Sequence, residues 1–270
     1  TREDMIGPQL KERHGIDTYT LAWPGDMLDY VYYIKGFFKE HPSSKARMLV
    51  FLFEGNDYEV FTRNPAAAAG YMRRVRQAEY FDRWPKPAAA YVTWLYKVSS
   101  RNKAVFKLIK TSRSGGGDTN AICDKSVSVR TIAGRSTGFF DHYTDMSRRE
   151  KCVLPETILK QFENVKPSLG ALFFIPTKYR VYHELGEDKP QVSLPHANWK
   201  CTRRLARRLG IPAFDLTPDM RKEAQARIRR NELLFWTDDT HLNAQGNAAV
   251  ADAVARRLPD LQAASTRTAQ

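Results

Sequence analysis

Residues 48–57 read Met48-Leu49-Val50-Phe51-Leu52-Phe53-Glu54-Gly55-Asn56-Asp57. Six unbroken apolar residues that stop at an acidic Gly-Asn-Asp turn predict a strand covered on both faces, as in the middle of a parallel sheet. Three more short runs fit the same sheet. Ile16 to Trp23 stops at Pro24-Gly25, Ala171 to Ile175 stops at Pro176, and Ala213 to Leu216 stops at Thr217-Pro218. Helical segments fall between them: Glu3 to His14 ending at Gly15, Asp26 to Glu40, Pro155 to Val165 and Trp199 to Leu209. A last helix starts near Ala244 and carries Val250, Val254 and Leu258 on one face. Strands alternating with helices mean an α/β domain with a parallel sheet and right-handed crossovers. In such sheets ligands bind beyond the carboxyl ends of the strands.

A chain of 270 residues with 42% hydrophobic residues has enough material for a packed core without a disulfide framework. Its formal charge is +13, so an anionic partner or surface is expected to matter. No apolar run approaches the roughly 18–20 residues of a membrane span, and no secretory signal is present, although the first residue is Thr1 rather than Met. Cys123, Cys152 and Cys201 fit no zinc spacing; a Cys123–Cys152 disulfide and buried thiols are both open.

From about residue 64 to 150 the alternation is interrupted by a basic insertion within the single domain 1–270. Residues 73–113 hold eleven Lys or Arg against Glu79 and Asp82. Tyr91, Trp94, Leu95 and Val98 stand at helical spacing within it. Either that stripe packs on the core and the basic face is solvated, or the segment presents a cationic surface to anionic lipid or anionic polysaccharide. Nucleic acid is not the expected partner, because no recognisable binding motif accompanies the charge. After the glycine-rich loop 112–117, Ser126 to Ile132 alternates as a strand, with Gly138 to Tyr143 as its expected partner across a turn at Gly134.

Three segments carry chemistry. In Trp236-Thr237-Asp238-Asp239-Thr240-His241-Leu242-Asn243, an acid three residues before a histidine can hold the imidazole in one tautomer, so that it serves as a general base; a simple helix N-terminus with capping Asp or Asn and an incidental histidine would read the same way. Asn56, directly after the most apolar strand, can point an amide donor into the cleft, although Gly-Asn-Asp is also ordinary turn chemistry. Gly25 in Trp23-Pro24-Gly25-Asp26 lets a backbone N–H approach a ligand closely.

Taken in this order at successive strand ends, the three segments resemble the SGNH (GDSL-type) hydrolase family. Gly25 matches that family's second block, Asn56 its third, and Asp238 with His241 its last. Ile175-Pro176-Thr177-Lys178, running into Val181-Tyr182, and Phe214-Asp215-Leu216-Thr217 also look like members associated with bacterial cell envelopes and polysaccharide acylation. The resemblance implies a flavodoxin-like three-layer α/β/α fold, and a serine esterase without metal or organic cofactor that acts on O-acetyl esters of carbohydrate. It further implies that His241 is the base and Asp238 the orienting acid. Asp239 is the rival acid, since some envelope members place it two residues before the histidine. Asn56 and the Gly25 N–H would form the oxyanion hole.

The family's Gly-Asp-Ser nucleophile block occurs nowhere in the sequence. The sequence looks as though it begins just downstream of that block, so the first central strand is expected to be absent and the 270 residues by themselves inactive. An exposed sheet slot would leave them poorly stable or open to strand donation. Ser136 and the cysteines lack supporting context, and the nucleophile stays unassigned. An acyltransferase on the same scaffold, or a non-catalytic basic binding module, would carry the same features. The resemblance suggests the bacterial periplasm or cell envelope.

Overall fold

In chain order the computed structural model forms α1 (Ile6–His14), α2 (Met27–Glu40), β1 (Met48–Phe53), β2 (Val127–Ile132) and β3 (Arg135–Phe140). There follow α3 (Asp141–Arg148), α4 (Glu156–Glu163), β4 (Leu169–Ile175), α5 (Lys178–Tyr182), α6 (Ala197–Leu209), β5 (Ala213–Asp215), α7 (Thr217–Ile228) and α8 (Ala244–Ala255). The structure describes residues 5–20, 27–58, 127–185 and 193–259. All of these belong to one unit made of residues 1–63 and 127–270. The basic segment 73–113, with its stripe at Tyr91, Trp94, Leu95 and Val98, and Cys123 lie outside the described residues.

Among the described residues the sheet is parallel, in the order β1-β4-β5. Leu49 stands opposite Ala171 and Phe53 opposite Ile175, while Phe173 stands opposite Phe214. The central strand β4 is apolar throughout because it is covered twice. Ala171, Phe173 and Ile175 enter the cluster formed with Met220, Leu234, Val250 and Val254, and Phe174 turns the other way onto Trp199 and Tyr58. Helices α2, α4 and α6 pack as one layer, and α1, α7 and α8 form the opposite one. The fold is therefore a three-layer α/β/α sandwich.

Local sequence explains the helix ends that matter for the site. Gly15, at φ 66°, ends α1 in the left-handed region; its N–H donates to the Lys11 carbonyl and the Ile16 N–H to the Leu10 carbonyl. The alanine-rich α8 lies close against α1, where Arg13 and His14 both reach Asp252 at 2.7 Å. Asn243 caps α8 by accepting the Gly246 N–H at 3.0 Å.

Three expectations change. Among the described residues Ile16 to Thr20 joins no strand, and Tyr19 is 75% exposed; a β-branched run forms a strand only where a neighbour pairs with it, and Leu21 to Trp23 of the expected strand lie outside the described residues. The partner of Val127–Ile132 is Arg135–Phe140, with Ile132 opposite Arg135, and Asp141 to Tyr143 are helical instead. The reason is the two-residue turn Ala133-Gly134, with φ of 53° and 67°, the left-handed pair that tight hairpins need. Residues 127–148, placed by sequence in the insertion, belong to the same unit as the sheet.

The cysteines also pair differently. Cys152 is bonded to Cys201 on α6, with Cα atoms 6.0 Å apart across 49 residues of chain. Closing a loop of that length removes about 4 kcal/mol of unfolded-state entropy on the chain-entropy model. Cys152→Ser is therefore expected to lower unfolding free energy by about 2–4 kcal/mol in denaturant titrations, and reduction of the wild type should reproduce the loss. Superposable curves with and without reductant would show that the bond carries no such load.

Candidate active site

The turn after β1 is built to hold one conformation. The Asp57 carboxylate is buried; it accepts the Phe53 N–H at 2.6 Å and the Tyr30 hydroxyl at 2.9 Å, closing the turn over Glu54 to Tyr58. A Cβ at Gly55 would stand 2.3 Å from the Phe53 ring and 2.6 Å from the Tyr143 ring, so glycine is required there by close approach. Asn56 sits half-buried between these two fixed positions.

Beneath the turn, Glu54 is fully buried and meets the Arg180 guanidinium at 2.6–2.8 Å. Glu54 also accepts the Thr177 N–H at 3.2 Å, while Arg180 donates to the carbonyls of Ser147 and Pro195 at 2.8 and 2.7 Å. Ser147 and Thr177 share a hydrogen bond through their hydroxyls. This network ties the Asn56 turn to α3, to the start of α5 and to the segment entering α6. Neither charge could be removed alone without leaving the other buried and uncompensated.

On the other side of Thr177-Lys178 lies the loop from Phe235 to Leu242. A bridge between those two residues closes its base, and Trp236 N–H donates to the His241 carbonyl at 3.2 Å. A Cβ at Gly246 would fall 2.0 Å from the Leu234 carbonyl oxygen, so the loop base and the start of α8 touch backbone to backbone. At the tip, His241 Nδ1 and Asp239 Oδ2 stand 2.7 Å apart, and Asp239 Oδ1 accepts the Thr240 N–H at 2.5 Å. Burial pushes the Asp239 carboxyl up, but the His241 imidazole and the Thr240 N–H outweigh it and hold it below its ordinary 3.8. The acid in contact with the ring is thus Asp239; Asp238 faces solvent. The His241 side chain is 80% exposed, so the ring is reachable by a substrate.

Lys178 is the residue that sequence reading did not single out for chemistry. It is 2% exposed, and its Nζ lies 2.6–3.0 Å from four carbonyl oxygens, those of Gly138, Trp236, Thr237 and Asp239. Gly138 N–H in turn donates to the Thr237 carbonyl at 2.7 Å, so the β2–β3 hairpin and the His241 loop are joined at this point. Burial pulls Lys178 from 10.5 to about 8, with Asp238 and Asp239 acting in the other direction. The native state therefore binds fewer protons than the unfolded chain between about pH 8 and 10.5, and this group's contribution to stability rises with pH across that window. At neutral pH the buried ammonium is a cost. Lys178 follows the end of β4 by three residues and opens the fully buried run 178–182.

A narrow cleft lies between the two sides, bordered by Phe53, Phe140, Tyr143, Thr177, Lys178 and Thr240. Phe53, just before the Asn56 turn, and Thr240, beside His241, border this cleft, while Asn56 and His241 themselves are not among its lining residues. Gly25 lies outside the described residues. Among the described residues no group of three or more His, Cys, Asp or Glu side chains could share a metal ion. No described helix is long and apolar enough to cross a membrane.

Residues 170–270 match the family model described as the SGNH hydrolase-like domain of acetyltransferase AlgX. Over that stretch the chain is SGNH hydrolase-like. The matched stretch contains Lys178, Asp239 and His241, and the Asn56 turn precedes it. An SGNH-like domain accounts for the parallel sheet and the layering described above. No curated protein and no solved structure matches the chain significantly.

Proposed function

We propose that this protein is an SGNH-type acyl-transfer enzyme acting on O-acetyl esters of carbohydrate. The observation that carries the reading is the Asp239–His241 pair, 2.7 Å apart, on an exposed loop at the carboxyl end of the sheet. With Nδ1 engaged by the carboxylate, Nε2 is left to take a proton from a hydroxyl and return it to the leaving alcohol. Asn56 and the Gly25 N–H would stabilise the tetrahedral oxyanion. The nucleophilic hydroxyl is not assigned to a residue of this sequence. The family model is that of an acetyltransferase, which favours transfer to a polysaccharide hydroxyl over hydrolysis. Product analysis with an acetyl donor, with and without acceptor glycan, separates the two outcomes.

The basic residues 73–113 would favour an anionic polysaccharide or an anionic membrane surface. A Cys152–Cys201 disulfide suits an oxidising compartment such as the periplasm. The absence of Gly-Asp-Ser from the sequence supports one competing reading, a glycan-binding module without turnover. In protein produced from the whole reading frame, Asn56→Ala is expected to cut kcat on a chromogenic acetyl ester about 100–1,000-fold with little change in KM. Unchanged turnover in that variant removes the oxyanion assignment, and glycan binding without any turnover favours the module.

A further inference from the structure

We propose that Lys178 is a positioning residue that holds the Asp239–His241 pair in register by gathering the carbonyls of its loop around one buried ammonium. The inference rests on the reading of that pair as the catalytic acid and base. Four carbonyl oxygens gathered around one point repel, and that of Thr237 also accepts the Gly138 N–H; a cation with three N–H groups satisfies the rest where a neutral apolar side chain cannot. Three of the four belong to residues 236, 237 and 239, so the ammonium sets the path of the loop just ahead of the histidine. Asp239 is then fixed twice, its carbonyl by Lys178 and its carboxylate by the Thr240 N–H. The fourth oxygen, of Gly138, anchors the assembly to the hairpin.

Burial lowers the affinity of Lys178 for its proton, so the charged form is held at neutral pH at a cost. The titratable groups around it are Asp238 and Asp239 on the loop and the Tyr143 and Tyr179 phenols, which line the same cleft. The hairpin contributes the Phe139 ring, 5.3 Å from Nζ, and the Gly138 carbonyl. Loss of the proton in alkali would remove the charge and one donor from the carbonyl cage, and with them the field that the ammonium sets beside the Asp239–His241 pair.

The test compares wild type, Lys178→Met and Lys178→Gln, each produced from the whole reading frame. Amide hydrogen exchange of the peptides spanning 234–243 and of β4 is followed alongside kcat, KM and the pH profile on a chromogenic acetyl ester. Lys178→Met is expected to speed exchange in 234–243 by about tenfold or more while β4 keeps its protection. Its kcat should fall about 100-fold with KM nearly unchanged, as for a catalytic group displaced by about 1 Å. The wild-type pH profile should carry a titration near pH 8 that is absent from the variant. Lys178→Gln retains two N–H donors without the charge; it is expected to show the same loop-confined loosening and serves if the methionine variant does not fold. Exchange in 234–243 equal to wild type overturns the proposal, as does a rise spread equally over β4. If no form turns over the ester, the assignment of Asp239–His241 to catalysis fails, and the exchange comparison alone still decides whether Lys178 holds the loop.

Discussion

His241→Ala will lower kcat/KM on a chromogenic acetyl ester by about four to six orders of magnitude, in protein produced from the whole reading frame. The reason is the division of labour at the rim. His241 is the exposed imidazole on the loop beside the cleft, and one of its nitrogens is already committed to Asp239. Removing the base leaves a hydroxyl nucleophile at its ordinary reactivity and deprives the leaving alcohol of its proton donor. On the proposed reading the oxyanion donors and substrate binding survive that change, and such groups account for the residual rate that remains when a triad member is deleted. Folding should be unaffected, because the side chain is 80% exposed and its carbonyl, which closes the loop on Trp236, is retained in alanine. Circular dichroism and the unfolding midpoint should therefore match wild type. An activity loss accompanied by unfolding would assign the residue to structure.

The second large effect separates two adjacent acids. Asp239→Asn is expected to lower kcat about 10,000-fold, as when the acid of a triad is replaced by its amide and the histidine is held in the wrong tautomer. Asp238→Asn should stay within about threefold of wild type. The contrast follows from the loop geometry. Asp239 turns its carboxylate back on the ring because its own Oδ1 is captured by the Thr240 N–H, and its carbonyl is drawn inward to Lys178. Asp238 lies between two residues whose carbonyls face Lys178, and it points to solvent. What Asp238 does add is field, since it favours the charged form of the buried lysine. Equal losses in the two variants would mean that the acids share the orienting role.

Much of the scaffold was legible because burial on two faces writes a simple pattern. MLVFLF and ALFFI could hardly be anything but covered strands, and both lie in the sheet with their turns at its carboxyl end. Gly15 marked the end of α1 for a local reason, its positive φ. The failures have non-local causes. Ile16 to Thr20 has strand composition but joins no strand among the described residues, which composition cannot reveal. Helix α7 begins at the Thr217-Pro218 that seemed only to end a strand; proline at the first turn also starts helices. The pairing of Cys152 with Cys201 depends on α6 turning one cysteine toward the segment before α4.

The site was legible in its parts and not in its wiring. Asp238, Asp239, His241 and Asn56 were visible as residue types at strand ends, but two neighbouring aspartates differ only in how the backbone bends between them. Glu54 and Arg180, separated by more than a hundred residues, meet only once β1 and β4 are paired. Lys178 gave no motif because its partners are main-chain carbonyls, which have no letter in a sequence.

The most direct measurement of the central claim is covalent labelling with a fluorophosphonate, a mimic of the tetrahedral acyl intermediate, in protein produced from the whole reading frame. Peptide mass mapping is expected to find one labelled serine in wild type, and no label in His241→Ala under the same exposure. Labelling that persists without His241, or a wild-type protein that takes no label, would contradict the account.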